Sequence, residues 1–425
     1  MRILILMERF LFPLNHGGRI RSYNTFLRLA KRHQIDVLSY YDDTIDRPYL
    51  EPMRATCDRL ELVPWREIRR FSPRFYANLL LSYFLPLPYS VFKCTSRSYR
   101  QALRRLVVER GYDLIVCDFP FMGANLDGIA EPPVLLFEHN VEYHVWQRHA
   151  QHTSSLWRRL YFGREWRKMY RFEKRLWERC AGIIAVSELD GQRIREDGSA
   201  SVTVVPTGVD MDYIEPIPRA EEVGALIFLG SMDAMVNEDA VAWCVNEILP
   251  SVRARVPEAH LYIVGRDPTP RVRALQSAAR GVTVTGTVDD VRPHLAKAQV
   301  FLVPMRIGGG TRIKIYEGMA AGKAVVSTSL GAEGLPLTPG RDVLLADTAS
   351  QFAGDVVRVL TDRRLRKALG ASARRLVCER FAWSTTVDVF ENACVQAANT
   401  SRASSRDEPR CSRQALRRAR YEQLR

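Results

Sequence analysis

No two of the eight cysteines stand at C-x-x-C spacing, and no His/Cys cluster has the spacing of metal ligands. That excludes a disulfide-stapled domain and a structural zinc site, and a reduced, cytoplasmic compartment is expected. No apolar run reaches the ~18 residues needed to cross a bilayer. The longest candidate, Leu79 to Phe92, is interrupted by Pro86 and Pro88. The opening MRILILMERF is too short in apolar residues for a secretory signal, and Glu8 and Arg9 close it. It reads as a buried first strand. Helix-turn-helix, zinc-finger and aromatic RNA-binding signatures are missing too, so nucleic acid is not an expected partner. What the chain has in excess is positive charge. Its 62 Lys and Arg against 48 Asp and Glu leave a net +14. Such a balance suits an acidic partner: a nucleotide, an anionic membrane surface or a phosphorylated lipid.

The 425 residues are enough for two domains, each with its own core. Short apolar runs alternate with amphipathic stretches. In the first half the runs are Ile3–Met7, Ile35–Ser39, Leu60–Val63, Leu114–Cys117, Val134–Phe137, Gly182–Val186 and Val202–Val205. In the second half they are Ala225–Leu229, Leu261–Val264, Val282–Thr285, Val300–Pro304, Ala324–Ser327 and Val343–Leu345. Alternation of this kind predicts α/β architecture, with parallel sheets covered by helices on both faces. The boundaries expected are an N-terminal domain over 1–205, a Pro- and Gly-bearing linker over 206–222 and a second domain over 223–380. A last helix over 381–398 and a basic, disordered tail over 399–425 follow.

In an open parallel sheet, ligands bind outside the carboxyl ends of the strands. Two glycine loops fall there. Gly17-Gly18, shortly after the first strand, opens a helix and lets backbone approach a phosphate, or is a plain turn. Gly308-Gly309-Gly310-Thr311 follows the strand ending at Pro304 and runs into a helix through Arg312, Ile313 and Lys314. Three glycines and a Thr at a helix start make an anion cradle. Lys314 adds charge, and Glu317 lies where a carboxylate can accept from both ribose hydroxyls.

These motifs resemble glycosyltransferase family 4, retaining enzymes of the GT-B fold. The likeness is carried by IFLGSM, LYIVGR, VTVTGTVDD and VFLVPMRIGGGTRIKIYEGMAAGKAVVST between Ile227 and Thr328, in family order and spacing. RCAGIIAVSE, VVPTGVD and the early Gly-Gly support it. The resemblance implies two Rossmann-like domains with sheets facing across a cleft, and a last helix that crosses back to the first domain. It implies that Glu317 holds the donor ribose and that amides near Thr311, Ile313 and Lys314 cradle the diphosphate. It also implies that Gly286-Thr287-Val288 receives the base, that Gly17 and Gly18 close over the diphosphate, and that His139 lies near the transferred sugar. Two departures stand out. The basic pair often found after the Ile227–Gly230 strand is missing, with Ser231 and Asn237 near those places, and the family's first glutamate is Gly309. Arg266, Arg306, Arg312 and Lys314 are the candidates to neutralise the diphosphate, Arg266 first.

The function expected is transfer of a sugar from a nucleotide-diphosphate donor to a saccharide or lipid-linked acceptor, in exopolysaccharide or cell-surface glycan assembly. A sugar-nucleotide epimerase and a non-catalytic sugar-nucleotide-binding protein are the alternatives. No Asp-x-Asp stands at a strand end, so neither a metal nor another cofactor is expected. Trp65 to Arg110, and Ser154 to Cys180, join Trp and Leu with many Arg. They suit an anionic membrane face, and equally helices that cover the first sheet.

Overall fold

The computed structural model describes residues 1–14, 17–66, 68–69, 72–153, 155–198, 201–216, 221–307 and 313–407. The chain divides into two compact units, Met1–Val205 together with the residues from Val387 on, and Pro206–Thr386.

The first unit is built on seven parallel strands in the order β3-β2-β1-β4-β5-β6-β7. They are β1 (Arg2–Met7), β2 (Gln34–Tyr41), β3 (Arg59–Pro64), β4 (Leu114–Asp118), β5 (Val134–Glu138), β6 (Gly182–Ala185) and β7 (Val202–Val204). The central ones are buried end to end, as in LIVCD and VLLFE. Strands covered on both faces read as continuous apolar runs, which is why the sequence displays them. The second unit repeats the plan with six strands, β10-β9-β8-β11-β12-β13. These are β8 (Ala225–Leu229), β9 (His260–Val264), β10 (Val282–Gly286), β11 (Val300–Val303), β12 (Ala324–Ser327) and β13 (Leu344–Leu345). In both sheets the strand order reverses beside the first strand of the unit, β1 against β4 and β8 against β11. A crevice opens at such a reversal, outside the carboxyl ends.

Two segments differ from the sequence reading. Residues 206–216 carry the prolines of a linker, yet Val209 and Ile214 are buried in the core of the second unit. Val209 also donates its backbone N–H to Phe381 at 2.7 Å. The two apolar side chains outweigh the turn residues around them. The last helix spans Trp383–Asp407, so the segment read as an unstructured tail from Asn399 begins as helix. Phe390 on this helix packs edge-on against Phe26 and Phe137, with centroids 6.4 and 5.0 Å apart. Arg32 and His33 tie it by bonds to Glu391 of 2.5 and 2.7 Å. Residues beyond Asp407 lie outside the described ones.

Candidate functional site

In the second unit the reversal point between β8 and β11 is bordered by Gly230, which follows β8, and by the helix Ile313–Ala320, which follows β11. Lys314, on the first turn of that helix, donates from Nζ to Asn237 Oδ1 at 2.6 Å. Its ammonium also sits 4.4 Å over the Phe228 ring. Asn237 is buried and held in turn, donating to the Ser231 carbonyl at 2.8 Å. Gly230 is required here: a Cβ would lie 2.8 Å from Asn237 Nδ2 and 3.1 Å from Lys314 Nζ. At Gly265, which follows β9 with φ +155, a Cβ would strike the Gly230 carbonyl. Glycines at both strand ends thus let the backbones meet and seat Lys314 at the reversal.

Glu317 lies one turn further along the same helix and is half-buried. Among the described residues its carboxylate accepts no hydrogen bond, and burial pushes its pKa up while Lys314 pulls it down. Tyr213 is close enough for the Glu317 charge to act on it: burial, then Asp290, then Glu317 raise the phenol. Asp290 holds Arg292 by two bonds to Nε of 2.9 and 3.0 Å, and the Arg292 guanidinium lies 4.6 Å over the Tyr213 ring. The Arg292 hydrogen bonds hold the Asp290 carboxyl down at about 2. Val288 precedes this cluster and packs against the core.

The other basic candidates are placed differently. Arg266 follows β9, partly exposed, and pairs with its neighbour Asp267 at 3.4 Å. Arg306 is bidentate to Asp239, at 2.8 and 3.2 Å, and lies 5.2 Å over Trp243, so it secures the helix Met235–Trp243. Gly308, Gly309, Gly310, Thr311 and Arg312 lie outside the described residues, as does the Ile313 side chain.

In the first unit the corresponding reversal is bordered by the helix Gly17–Leu29 after β1 and by the ends of β4 and β5. His139, just past β5, is only 2% exposed. Arg21 Nη1 donates to His139 Nδ1 at 3.0 Å, and a guanidinium only donates. The ring proton is therefore on Nε2, which donates to Asp118 Oδ1 at 2.7 Å. Ser22 completes the set with bonds of 2.9 and 3.0 Å to the same carboxylate. Phe119 stacks on the imidazole at 3.9 Å, with Phe137 at 4.2 Å. Burial holds the His139 pKa below its usual value, although Asp118 opposes the shift. Burial also pushes Arg21 down to about 10. Gly18 serves this packing, because a Cβ there would lie 2.8 Å from the tip of Phe119. Gly17 begins the helix and is exposed.

Behind His139 is a second buried group. Glu173, on the long helix Leu156–Arg179, accepts the N–H groups of Glu142 and Tyr143 at 2.8 Å each. It thereby caps the helix Glu142–His152, a role its own sequence neighbourhood does not reveal. Trp177 Nε1 donates to Glu138 at 3.1 Å. Burial raises Glu138 to about 7 and Glu142 to about 8, and burial, with Glu138 beside it, holds Glu173 well above the usual carboxylate range.

Two family models divide the chain as these units do. One described as Glycosyltransferase Family 4 matches residues 16–213, and one described as Glycosyl transferases group 1 matches residues 224–362. The chain belongs to glycosyltransferase family 4. It is 31% identical over 216 residues to a phosphatidyl-myo-inositol mannosyltransferase of Mycolicibacterium smegmatis, covering 49% of this chain and 55% of that one. It is 32% identical over 211 residues to a GDP-mannose-dependent alpha-(1-6)-phosphatidylinositol monomannoside mannosyltransferase of Mycobacterium tuberculosis, covering 44% and 54%. The chain thus spans about half the length of these curated relatives.

Among solved structures, the sucrose-phosphate synthase of Thermosynechococcus elongatus is similar with a TM-score of 0.67 and 18% identity, over 93% of this chain and 99% of that one. Anabaena HepE in complex with UDP and glucose is similar with a TM-score of 0.61 and 16% identity, over 92% and 98%. At such identities the likeness establishes the fold, which is GT-B.

Two features of this family 4 chain escape the sequence reading. The Lys314–Asn237 contact joins residues 77 apart, and only the absence of a lysine near Asn237 hinted at it. The Tyr213–Asp290–Arg292 cluster also joins distant segments, and Asp290 reads from sequence as a solvated turn residue.

Proposed function

We propose that this chain transfers a sugar, with retention of anomeric configuration, from a nucleotide-diphosphate donor to a saccharide or lipid-linked acceptor in cell-surface or exopolysaccharide assembly. The observation that carries the reading is the pair on one short helix at the β8/β11 reversal: Lys314 seated on Asn237, and the half-buried Glu317 carboxylate, which accepts no hydrogen bond among the described residues. A carboxylate so placed suits two ribose hydroxyls, and an ammonium at the crevice suits a diphosphate. Lys314 then supplies the charge that Asn237 does not, with Arg266 as the further cation. Fixed amides of the Gly308-Gly309-Gly310-Thr311 segment would complete the cradle for the leaving group. The Val288 segment, flanked by the Tyr213–Arg292 stack, would receive the base.

His139 acts in this scheme by position. With both nitrogens engaged, it orients Arg21 and the backbone after β5 near the transferred sugar. No step needs a metal, because cationic side chains and amides stabilise the departing diphosphate. The relatives named as phosphatidylinositol mannosyltransferases support a lipid-linked acceptor, and the HepE complex with UDP and glucose supports a nucleotide-sugar donor.

The test is a calorimetric screen of nucleoside diphosphates, then turnover of the matching sugar donors with lipid-linked acceptors in the presence of a chelator. The product is read by mass spectrometry and its anomeric configuration by NMR. A glycosylated acceptor with retained configuration is expected. Rearrangement of the donor without acceptor would assign an epimerase, and tight binding without turnover a binding protein. Loss of transfer on chelation, restored by a divalent ion, would overturn the metal-free scheme.

A further inference from the structure

A cavity of about 490 Å³ lies in the first unit, apart from the His139 network. It opens past the carboxyl ends of β1 and β3, since Glu8, Arg9 and Trp65 are in its wall. Half of the wall is aromatic, with Trp65, Phe75, Trp146 and Phe162 among its rings. Its charged groups are Arg9, Lys93 and Arg158 against the single acid Glu8, which pairs with Arg9 at 3.3 Å. Lys93 and Arg158 are in no ion pair among the described residues.

The two helices that supply Phe75, Leu79, Tyr161 and Phe162 to this wall also turn apolar side chains outward. On the helix Pro73–Phe84, Tyr76, Leu80 and Phe84 repeat at i, i+4, i+8 and form one stripe, with 53%, 64% and 72% of their surface exposed. The first two turns of the helix Leu156–Arg179 add Leu156, Trp157 and Leu160, which are exposed as well. The two helices are fastened together: Lys168 donates to the Ser82 carbonyl at 2.8 Å, and Arg164 to the Tyr83 carbonyl at 2.8 Å. The stripe is thus a fixed feature. Between Ile68 and Val108 the chain has no acidic residue at all, whereas Arg69, Arg74, Arg158 and Arg159 are exposed around it.

We propose that this face rests on an anionic lipid surface and that the cavity takes the anionic head of a membrane lipid drawn from it. The charge pattern favours lipid over a protein partner: aromatic and aliphatic tips with Arg between them, and Glu8, already paired with Arg9, as the one carboxylate of the wall, match an interface of acyl chain and phosphate. The proposal rests on the proposed transfer to a lipid-linked acceptor. Its chemistry is binding alone; the lipid would be the acceptor or its carrier.

The test uses the full chain, so that the Arg-rich C-terminal residues are constant throughout. Co-sedimentation compares vesicles of phosphatidylglycerol in phosphatidylcholine with pure phosphatidylcholine, against salt. Leu80→Ser/Phe84→Ser/Trp157→Ser changes exposed positions only and should lower affinity for the anionic vesicles about tenfold or more. Monomeric dihexanoylphosphatidylglycerol, followed by tryptophan fluorescence, probes the cavity. Lys93→Met and Arg158→Met should each weaken it about fivefold, and Trp146→Phe should shrink the signal. Parental vesicle binding by the stripe variant would overturn the proposal, as would parental binding of the short lipid by both cation variants. A chain that ignores vesicles but self-associates through the stripe would assign the face to a second copy. Nucleoside diphosphate affinity, measured on the same variants, reads the donor site separately, so failure there is distinguishable from failure here.

Discussion

The two units have the same plan of parallel strands, but they treat polar groups at the reversal point in opposite ways. In the first, Arg21, Ser22, Asp118 and His139 satisfy one another in a buried set. In the second, Lys314 is seated and charged at the crevice, and Glu317 accepts no hydrogen bond among the described residues. The first arrangement is what a chain builds to fix a backbone. The second leaves groups to be engaged, as the proposed donor site requires.

The strongest way to break this contrast is to remove Lys314. Lys314→Ala should lower kcat/KM by about 10²–10³, the scale of a lost electrostatic group at a leaving diphosphate, with weaker nucleoside diphosphate binding by calorimetry. Arg306→Ala should leave that binding unchanged, because Arg306 is committed to Asp239. Equal losses from both would place the charge in the general field of the unit instead of at Asn237.

His139→Ala should cost about 2–4 kcal/mol of stability, by emptying a ring-sized space and leaving Arg21 and Asp118 short of partners. Nucleotide affinity should stay within about twofold, while kcat falls. Chemical denaturation, calorimetry and turnover on one preparation separate the three. A stable variant with parental kcat would reduce His139 to a replaceable core residue.

The carboxyl cluster sharpens the contrast by pH. Glu142 has a folded-state pKa near 8 against 4.5 in the unfolded chain. Folding thus takes up a proton between those values. The contribution of the group is fully present below about 4.5 and lost as pH rises through about 8. Glu142→Gln should nearly match the parent at pH 5 and exceed it at pH 8.5 by up to about 4 kcal/mol, for a shift of this size. Melting curves at the two pH values decide it, and a variant equally displaced at both would deny the titration.

The smallest effect expected is at the ribose. Glu317→Ala should weaken nucleoside diphosphate binding by about 1–3 kcal/mol, and 2′-deoxy nucleotides should bind the variant and the parent more nearly alike. Unchanged affinity in a folded variant would remove Glu317 from the donor site.

Much of this was legible in the sequence. Each expected strand lies within a few residues of its observed span, because doubly covered strands are apolar throughout and bounded by turn residues. Glu317 and Lys314 stood out as candidates because their loop and helix carry a recognisable order of residues. The seat of Lys314 was not legible, since it depends on two glycines meeting across neighbouring strand ends. Glu173 was hidden for a like reason: a carboxylate in a basic helix reads as one half of a surface pair, and only folding brings it under the N–H groups of Glu142 and Tyr143. Residues 206–216 were misjudged because prolines speak louder in a sequence than two isolated apolar side chains.

The helix Leu156–Arg179 has its exposed apolar turns at one end, and Glu173 and Trp177 at the other. Each residue of an α-helix advances about 100° around the axis. One residue inserted near Gly163 would leave Glu173 and Trp177 in place, and would rotate Leu156, Trp157 and Leu160 about a quarter turn relative to them. In genetic terms the two ends are phase-locked. Length changes between Leu160 and Glu165 should survive selection only near whole turns, by three or four residues.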